Sequence, residues 1–289
     1  LPVASAAASE RDASATGNGD GGTVVLWSDV TNPDSVTSVH GELFARGGPD
    51  GGDGGQIETS GYRLVTAGAT GSAAAPAGAP GEWLFDPYNV EIVGSGSDAN
   101  GSFDGGNPDI WNPSGDNSTV LASSIESTLE GGTDVTITTT GGGSQVGNLT
   151  VSAPITQDSG NTDNTLTLEA SRNIFLNADI TSSSGALSLV LDADKDGTNI
   201  SESFIEAGLI QTNGGDFTIN GSVGASFRSS STQTVDTNGG AINVNGDVKV
   251  DTEEVILNSG GGAIDITGSV NGDISSFLAS SLHLNAGAG

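Results

Sequence analysis

The sequence of 289 residues lacks cysteine and methionine, and it is poor in basic residues. The absence of cysteine excludes disulfides, thiolate metal sites and a cysteine nucleophile. Seven Lys and Arg stand against 36 Asp and Glu, and the resulting net charge of −29 argues against binding to nucleic acid or to anionic lipid. The sequence has no run of about 18 apolar residues, so it predicts no transmembrane helix. No signal-peptide pattern opens the sequence, so we expect a mature or internal piece.

The apolar residues make up 34% of the chain, a low share that together with the charge would suit a disordered protein. They occur, however, in short alternating runs of Val, Ile and Leu, which is the period of half-buried β-strands. Asp outnumbers Glu by 24 to 12, and Asp favours turns where Glu favours helices. The composition therefore predicts an all-β protein with many turns.

Three segments near the C-terminus align without gaps and define a repeat. They are residues 211–223 (QTNGGDFTINGSV), 236–248 (DTNGGAINVNGDV) and 258–270 (NSGGGAIDITGSV). The second glycines of their Gly-Gly pairs, Gly215, Gly240 and Gly262, are 25 and 22 residues apart. This period is too short for a propeller blade of about 40 residues, and it predicts a parallel β-helix with one coil per repeat.

The repeat predicts which side chains fill the interior and which segments form the coils. Three interior ladders are expected from Phe217, Ile242 and Ile264, from Ile219, Val244 and Ile266, and from Val223, Val248 and Val270, with glycine pairs at φ > 0 corners. Further strands are predicted at 23–27, 39–45, 56–59, 82–85, 148–155, 165–180 and 185–191.

The remaining segments lack the alternation and are predicted as loops or as a helix. Loops are expected at 67–81, 94–118 and 192–203, and a short helix at 123–129, capped by Ser123 or Ser124, would cover a face of the solenoid. We therefore divide the chain into N-terminal coils at 1–93, an acidic insertion at 94–122, and C-terminal coils at 123–289 with a loop insertion at 192–203.

Several runs resemble a known family. They are GDGGTVVLWSD (19–29), GELFARGGPDGGDGGQIETSG (41–61), PGEWLFDPYNVEI (80–92) and, within 123–197, SSIESTLEGGTDVTITT and LNADITSSSGALSLVLDAD. In this order they are similar to filamentous-haemagglutinin-like exoproteins, which Gram-negative bacteria secrete by the two-partner route. The resemblance covers about two thirds of the chain. This sequence has no counterpart of the family's N-terminal secretion domain, so we expect it to be an internal β-helical segment.

The resemblance implies a right-handed parallel β-helix that is exported through an outer-membrane transporter and takes part in adhesion. With about ten coils at the strand spacing, it would be roughly 50 Å long. The expected location is secreted or at the cell surface. The expected partners are the transporter during export and then a host cell, a neighbouring cell or an extracellular polysaccharide.

One local motif suggests a metal site. Asp192, Asp194 and Asp196 form a D-x-D-x-D-G run that resembles the first half of an EF-hand calcium loop, and Ca²⁺ is the one cofactor that the sequence suggests. The twelfth position of the loop is Ser203 rather than an acid, and acidic turns give the same letters. Two weaker acidic patterns favour turns over ligands: the glycine-rich run 51–58, and the acids Asp98, Asp104, Asp109 and Asp116.

The sequence offers little for catalysis, and no catalytic residue is assigned. His40 and His283 are isolated, and no nucleophile elbow, zinc-protease or phosphate-loop motif is present. Acids on adjacent coils, such as Asp247 and Asp265, would look the same in an enzyme and in a soluble solenoid. The aromatic residues of the N-terminal half are interpreted as plugs or loop anchors, with sugar stacking as the alternative.

Three hypotheses from different classes follow. The first is a structural or adhesive segment that acts as a rigid stalk or binding surface, with no enzymatic activity. The second is a self-assembling filament or sheath subunit, because the open ends of a solenoid are unpaired strand edges that another copy would cover. A polysaccharide-active enzyme is the minor alternative.

Overall fold

The predicted parallel β-helix is confirmed. The computed structural model describes residues 3–4, 10–28, 36–60, 63–65, 69–85, 88–141, 143, 145–195, 201–221, 223–272 and 280–287. In these residues it is 48% strand with one helix, and its parallel strands stack into a β-solenoid of about 8 turns rather than the ten that we expected. Contacts divide the chain into two compact units, Leu1–Pro87 with Gly141–Val146, and Tyr88–Thr140 with Gly147–Gly289. The three-part division that we drew from composition stays a prediction.

The first unit contains three parallel sheets of three strands each, ordered β1-β4-β7, β2-β5-β8 and β3-β6-β9. The strands are β1 (Val3–Ala4), β2 (Glu10–Asp12), β3 (Thr23–Trp27), β4 (Val36–Ser38), β5 (Gly41–Phe44), β6 (Gln56–Ser60), β7 (Arg63–Val65), β8 (Ala69–Ser72) and β9 (Glu82–Phe85). Val24, Leu43 and Ile57 are buried between the sheets, as the alternation requires. The predicted strands 23–27 and 82–85 coincide with β3 and β9.

The second unit begins with β10 (Val90–Val93), β11 (Gly101–Phe103), β12 (Asp109–Pro113), β13 (Ser118–Leu121), α1 (Ala122–Glu130) and β14 (Val135–Thr138). It continues with β15 (Leu149–Val151), β16 (Ile155–Gln157), β17 (Asn164–Ala170), β18 (Ile174–Leu176), β19 (Ile180–Ser182), β20 (Leu187–Ala193), β21 (Ser203–Ile205) and β22 (Leu209–Gln211). Its last strands are β23 (Phe217–Asn220), β24 (Gly224–Arg228), β25 (Gln233–Asp236), β26 (Ile242–Val244), β27 (Asp247–Asp251), β28 (Glu254–Asn258), β29 (Ile264–Ile266), β30 (Val270–Gly272) and β31 (Ser281–Asn285).

These strands form the three walls of the solenoid. Sheet A has the order β13-β10-β15-β18-β21-β24-β27-β30, sheet B the order β11-β12-β14-β17-β20-β23-β26-β29, and sheet C the order β16-β19-β22-β25-β28-β31. A regular coil runs through one strand of sheet B, one of sheet A and one of sheet C, as β17, β18 and β19 do. One continuous apolar cluster fills the interior.

Two of the three predicted interior ladders are present, and the third is wrong by two residues. Phe217 pairs with Ile242 and Ile242 with Ile264, while Ile219 pairs with Val244 and Val244 with Ile266. Val248 pairs with Val270 as predicted, but its partner in the preceding coil is Ala225 rather than Val223. The corner between β23 and β24 is two residues longer than the matching corner of the next coil, so the gapless alignment shifted the register.

The corners between sheets C and B combine a hydroxyl group with a glycine. Ser182, Thr212, Thr237 and Ser259 are buried, and each donates its hydroxyl to a glycine carbonyl three residues ahead, at 2.5–2.8 Å. Only the first glycine of each predicted pair has positive φ, namely Gly214, Gly239 and Gly261. The second glycine serves another purpose, because a Cβ at Gly240 would overlap the backbone of Gly215 in the preceding coil.

The segment predicted as the loop 94–118 instead forms part of the first end of the second unit. There β11 and β12 form an antiparallel hairpin, and β12 pairs with β14. Beyond β10, strand β13 adds in parallel to sheet A. The helix is confirmed as α1, which packs against β16, the first strand of sheet C. The strands here are too short and too polar for their alternation to stand out in the sequence.

The predicted serine cap of the helix is wrong. The N-cap residue of α1 is Leu121, which has no side-chain cap. The carboxylate of Asp98 lies here instead and accepts hydrogen bonds from the Leu121 amide at 2.6 Å and from the Ser124 hydroxyl at 2.8 Å. A negative charge at this end of a helix is favourable. Within the described residues, no helix is long and apolar enough to cross a membrane.

Candidate binding face

The outer surface of sheet A, which we call face A, carries a continuous row of side chains. In each short strand the first and last residues point inward, so the middle residue points out, as Phe175 does between buried Ile174 and Leu176. Register then aligns the outward residues of all eight strands. From one end to the other the row is Thr119, Glu91, Thr150, Phe175, Phe204, Ser226, Lys249 and Asn271.

An aromatic stack lies at the centre of face A. The rings of Phe175 and Phe204 are stacked with centroids 5.1 Å apart and planes at 18°. The guanidinium of Arg228 lies 3.8 Å from the Phe204 ring centroid, a cation–π contact from the following strand. Phe204 is therefore covered on both sides, by Phe175 from β18 and by Arg228 from β24. The ring face that ends this stack belongs to Phe175 and is turned toward β15, where Thr150 is its register neighbour.

Two basic side chains converge on Glu202 beside this stack. Lys249 approaches one carboxylate oxygen of Glu202 at 2.7 Å, and Arg228 approaches the other at 3.6 Å. The Glu202 side chain is 11% exposed, whereas Arg228 and Lys249 are 41% and 49% exposed. The three side chains carry a net charge of +1 in a chain whose net charge is −29. Arg228 thus contacts both the Glu202 carboxylate and the Phe204 ring.

A polar groove of about 210 Å³ adjoins the stack on β13, β10 and β15. It is lined by Asn89, Val90, Glu91, Asn117, Ser118, Thr119, Asn148 and Thr150. Its shape is fixed by hydrogen bonds from backbone amides to asparagine side chains, because the side-chain oxygen of Asn89 accepts the backbone amide of Asn148 at 2.9 Å. Asn148 in turn accepts the amide of Asn173 at 3.3 Å. Glu91 accepts the Ser152 hydroxyl at 2.6 Å and is otherwise exposed to the solvent.

The predicted calcium ligands are only partly described. Asp192 is bound by Lys195 at 3.0 Å, and Lys195 also contacts Glu169 at 2.9 Å. Hydrogen bonds to Glu169 and Asp192 raise the pKa of Lys195. Asp194 is buried in a left-handed turn at φ 61°, and Asp196 lies outside the described residues. Among the residues that the structure covers, no group of three or more acids or histidines is arranged to hold a metal, so the calcium site stays a prediction.

Removal of Ca²⁺ tests that prediction. If Asp192, Asp194 and Asp196 bind Ca²⁺, a chelator is expected to lower the melting temperature, because a ligand that binds only the folded state stabilises it. Asp194→Ala should abolish this response. Asp134→Ala, which changes an acid on another corner, should retain it. Identical melting curves of the parent protein with and without chelator would remove the site.

Among the other acids and histidines singled out by sequence, the hairpin turn brings Asp104 and Asp109 together. Asp104 accepts the amides of Gly106 and Ile110, which lower its pKa, and Asp109 accepts the amide of Gly105, so both stabilise the hairpin turn. Asp247 and Asp265 do not stack on each other, because Asp247 belongs to sheet A and Asp265 to sheet B. His283 is exposed and lies 3.3 Å from Glu254.

Sequence reasoning missed face A. Phe175 and Phe204 are large apolar residues at outward positions of alternating strands, and that is a signal visible in the sequence. Their stacking, and the convergence of Arg228 and Lys249 on Glu202, depend on the register between coils, which the variable corner lengths conceal. The groove was missed because its lining comes from the segment that we predicted as a loop.

No protein-family model matches the sequence, and no curated protein matches it. The resemblance to filamentous-haemagglutinin-like exoproteins therefore stays a prediction.

Proposed function

We propose that the chain is a structural and adhesive segment of an exported bacterial cell-surface protein, acting as a rigid β-helical stalk with a binding surface. The observation that carries this proposal is the in-register stacking of the second unit. Side chains from successive coils continue the same buried rows, as Leu166, Leu189 and Phe217 do in sheet B. Such stacking resists bending and presents outward residues at a fixed spacing.

The surface chemistry supports the same proposal. The interior needs only aliphatic residues and a few aromatic rings, so the outward positions are left to polar and acidic side chains. A net charge of −29 favours solubility and discourages nonspecific association with other acidic surfaces. Face A interrupts this pattern with the stacked rings of Phe175 and Phe204 and with Arg228, and aromatic residues and Arg are enriched where proteins bind partners.

Surface labelling of the producing bacterium tests the proposal. An antibody against the chain is expected to label intact cells or the culture medium, and protease added to intact cells should remove the cell-bound signal. Labelling that appears only after permeabilisation would contradict an exported role. Beads coated with the chain should also adhere to cells or extracellular matrix more than beads coated with an unrelated protein of similar charge.

A second candidate, a self-assembling filament subunit, is favoured by the strands at the other end of the second unit. Val270 in β30 and Leu284 in β31 continue the buried rows of Val248 and Leu257, yet they are 49% and 55% exposed. Exposed apolar residues on strand edges promote pairing with another strand. A coil from a second copy would cover both residues.

Light scattering and electron microscopy of the purified chain test the filament. If this edge mediates stacking, the chain should form concentration-dependent oligomers, and combining Val270→Lys with Leu284→Lys should return it to monomers. Val25→Lys is the matched control, because Val25 is 48% exposed and points outward from β3. A monomeric parent protein at high concentration would reject this candidate.

A further inference from the structure

We propose that the groove of face A, whose lining residue Thr150 is the register neighbour of Phe175, binds an uncharged sugar residue of a polysaccharide. The inference rests on the proposed function, and it names the ligand class and the residues of the binding surface. The occupant would lie across β10 and β15, with its ring against Phe175 and its hydroxyl groups among the polar residues of the groove.

The arrangement of one aromatic face beside a polar groove suits the two kinds of surface that a sugar presents. A pyranose ring has an apolar patch of C–H bonds that packs on an aromatic face, and a rim of hydroxyl groups that needs donors and acceptors. Phe175 supplies the first, since Phe204 and Arg228 cover only the far end of the stack. The amides of Asn117 and Asn148, the hydroxyls of Thr119 and Thr150, and the carboxylate of Glu91 supply the second.

The charges around the groove favour an uncharged ligand over an acidic one. Glu91 is the ionisable side chain that lines it, and the chain as a whole has a net charge of −29. An acidic sugar in the groove would face Glu91 without a cation to neutralise it. Arg228 and Lys249 do not fill that role, because both are paired with Glu202 and lie beyond Phe204, on strands β24 and β27.

Asparagine side chains that bind backbone amides, together with the ring stack, make the site rigid before any ligand binds. The hydrogen bonds from Asn148 to Asn89 and from Asn173 to Asn148 fix the coil edges on which the groove stands. Phe175 is held by stacking on Phe204, whose other face is covered by Arg228. A preformed site loses little conformational entropy on binding, so even a small groove can contribute to adhesion when many sugar residues are offered.

Binding to defined polysaccharides tests the inference. The full chain is incubated with the neutral polymers dextran, mannan and soluble cellulose oligosaccharides, and with polygalacturonate as the acidic polymer, and binding is measured by calorimetry and affinity electrophoresis. At least one neutral polymer should bind, and polygalacturonate should bind more weakly. Failure of every neutral polymer to bind, or preference for polygalacturonate, would overturn the inference.

Two variants locate the site. Phe175→Ala removes the stacking face and should weaken binding at least tenfold, while Thr150→Lys fills the groove without removing the ring and should do the same. Thr181→Lys is the control, because Thr181 points outward from β19 in the same coil but on sheet C. Binding that survives both face A variants would overturn the assignment, provided that their melting curves show folded protein.

The outcome can be separated from that of the proposed function. A chain that is found on intact cells but binds no neutral polymer would refute the saccharide site alone. A chain that binds a neutral polymer through Phe175 but stays inside the cell would refute the exported role alone. Release of reducing ends from a bound polymer would instead favour the enzyme hypothesis and overturn a purely adhesive site.

Discussion

Gly240→Ala is expected to lower the free energy of unfolding by about 3 kcal/mol, the upper part of the range for overpacking a close-packed site. Gly240 has no positive φ, so the cost does not come from its backbone conformation. It comes from the preceding coil, because a Cβ at Gly240 would overlap the carbonyl group of Gly215. A flexible side chain could move aside, whereas this obstacle is the backbone.

The surroundings of Gly240 leave little room for relief. Its own carbonyl accepts the Thr237 hydroxyl at 2.5 Å, and a Cβ at Gly262 in the next coil would overlap that same carbonyl. A shift that relieved the contact with Gly215 would therefore disturb the hydroxyl bond and the following coil. Thermal unfolding followed by circular dichroism should show a melting temperature lowered by several degrees.

Gly272→Ala provides the matched control. Gly272 lies in β30, has no positive φ, and has no atom within 4 Å of the position that a Cβ would take. This variant should change the unfolding free energy by less than about 0.5 kcal/mol, as is usual for an unobstructed surface position. Equal stabilities of the two variants would show that the contact between Gly215 and Gly240 does not constrain the stack.

The repeat could be found in the sequence because each coil places the same types of residue at its corner and in its strands. Gly215, Gly240 and Gly262 recur because a Cβ at the second glycine of each pair would overlap the backbone of the preceding coil. The alternating strands could be found because one side of each faces an apolar interior. Val223 was misplaced because the sequence does not show that a corner has absorbed two extra residues.

Face A could not be predicted for a related reason. A row of outward side chains depends on how every coil is aligned with the next, and one longer corner shifts the pairing of the strand that follows it, as Ala225 in place of Val223 shows. The groove depends further on β13, which follows β10 in the chain but adds to the far side of it. No local pattern in residues 94–122 predicts that β13 pairs with β10. This pairing depends on the edge of β10 that β15 leaves unpaired.

Trp111→Ala is expected to lower the free energy of unfolding by about 3–5 kcal/mol, the usual cost of emptying a large buried aromatic site. Trp111 is 1% exposed and lies in β12, at the end of the second unit that the hairpin covers. Its ring meets Phe103 edge to face at 5.2 Å, and its indole nitrogen donates to the Ser118 hydroxyl at 3.0 Å. The residue thus joins β11, β12 and β13.

Loss of the Trp111 contacts to β11 and β13 should also expose the adjacent coils of the second unit. Within the second unit, the coil at this end has a neighbouring coil of the same unit on one side only, and fewer contacts between coils make it easier to open. We therefore expect Trp111→Ala to speed limited proteolysis within residues 94–134 as well as to lower the melting temperature. Trp111→Phe, which keeps a ring but loses the hydrogen bond to Ser118, should fall between the parent protein and Trp111→Ala.

Trp27→Ala is the control for removing a tryptophan. Trp27 is 56% exposed in β3 of the first unit, so its loss leaves no cavity and should change the unfolding free energy by less than about 0.5 kcal/mol. If Trp111→Ala proved as stable and as resistant to protease as Trp27→Ala, the hairpin would not protect this end of the solenoid. The stability of the second unit would then have to come from the interior rows alone.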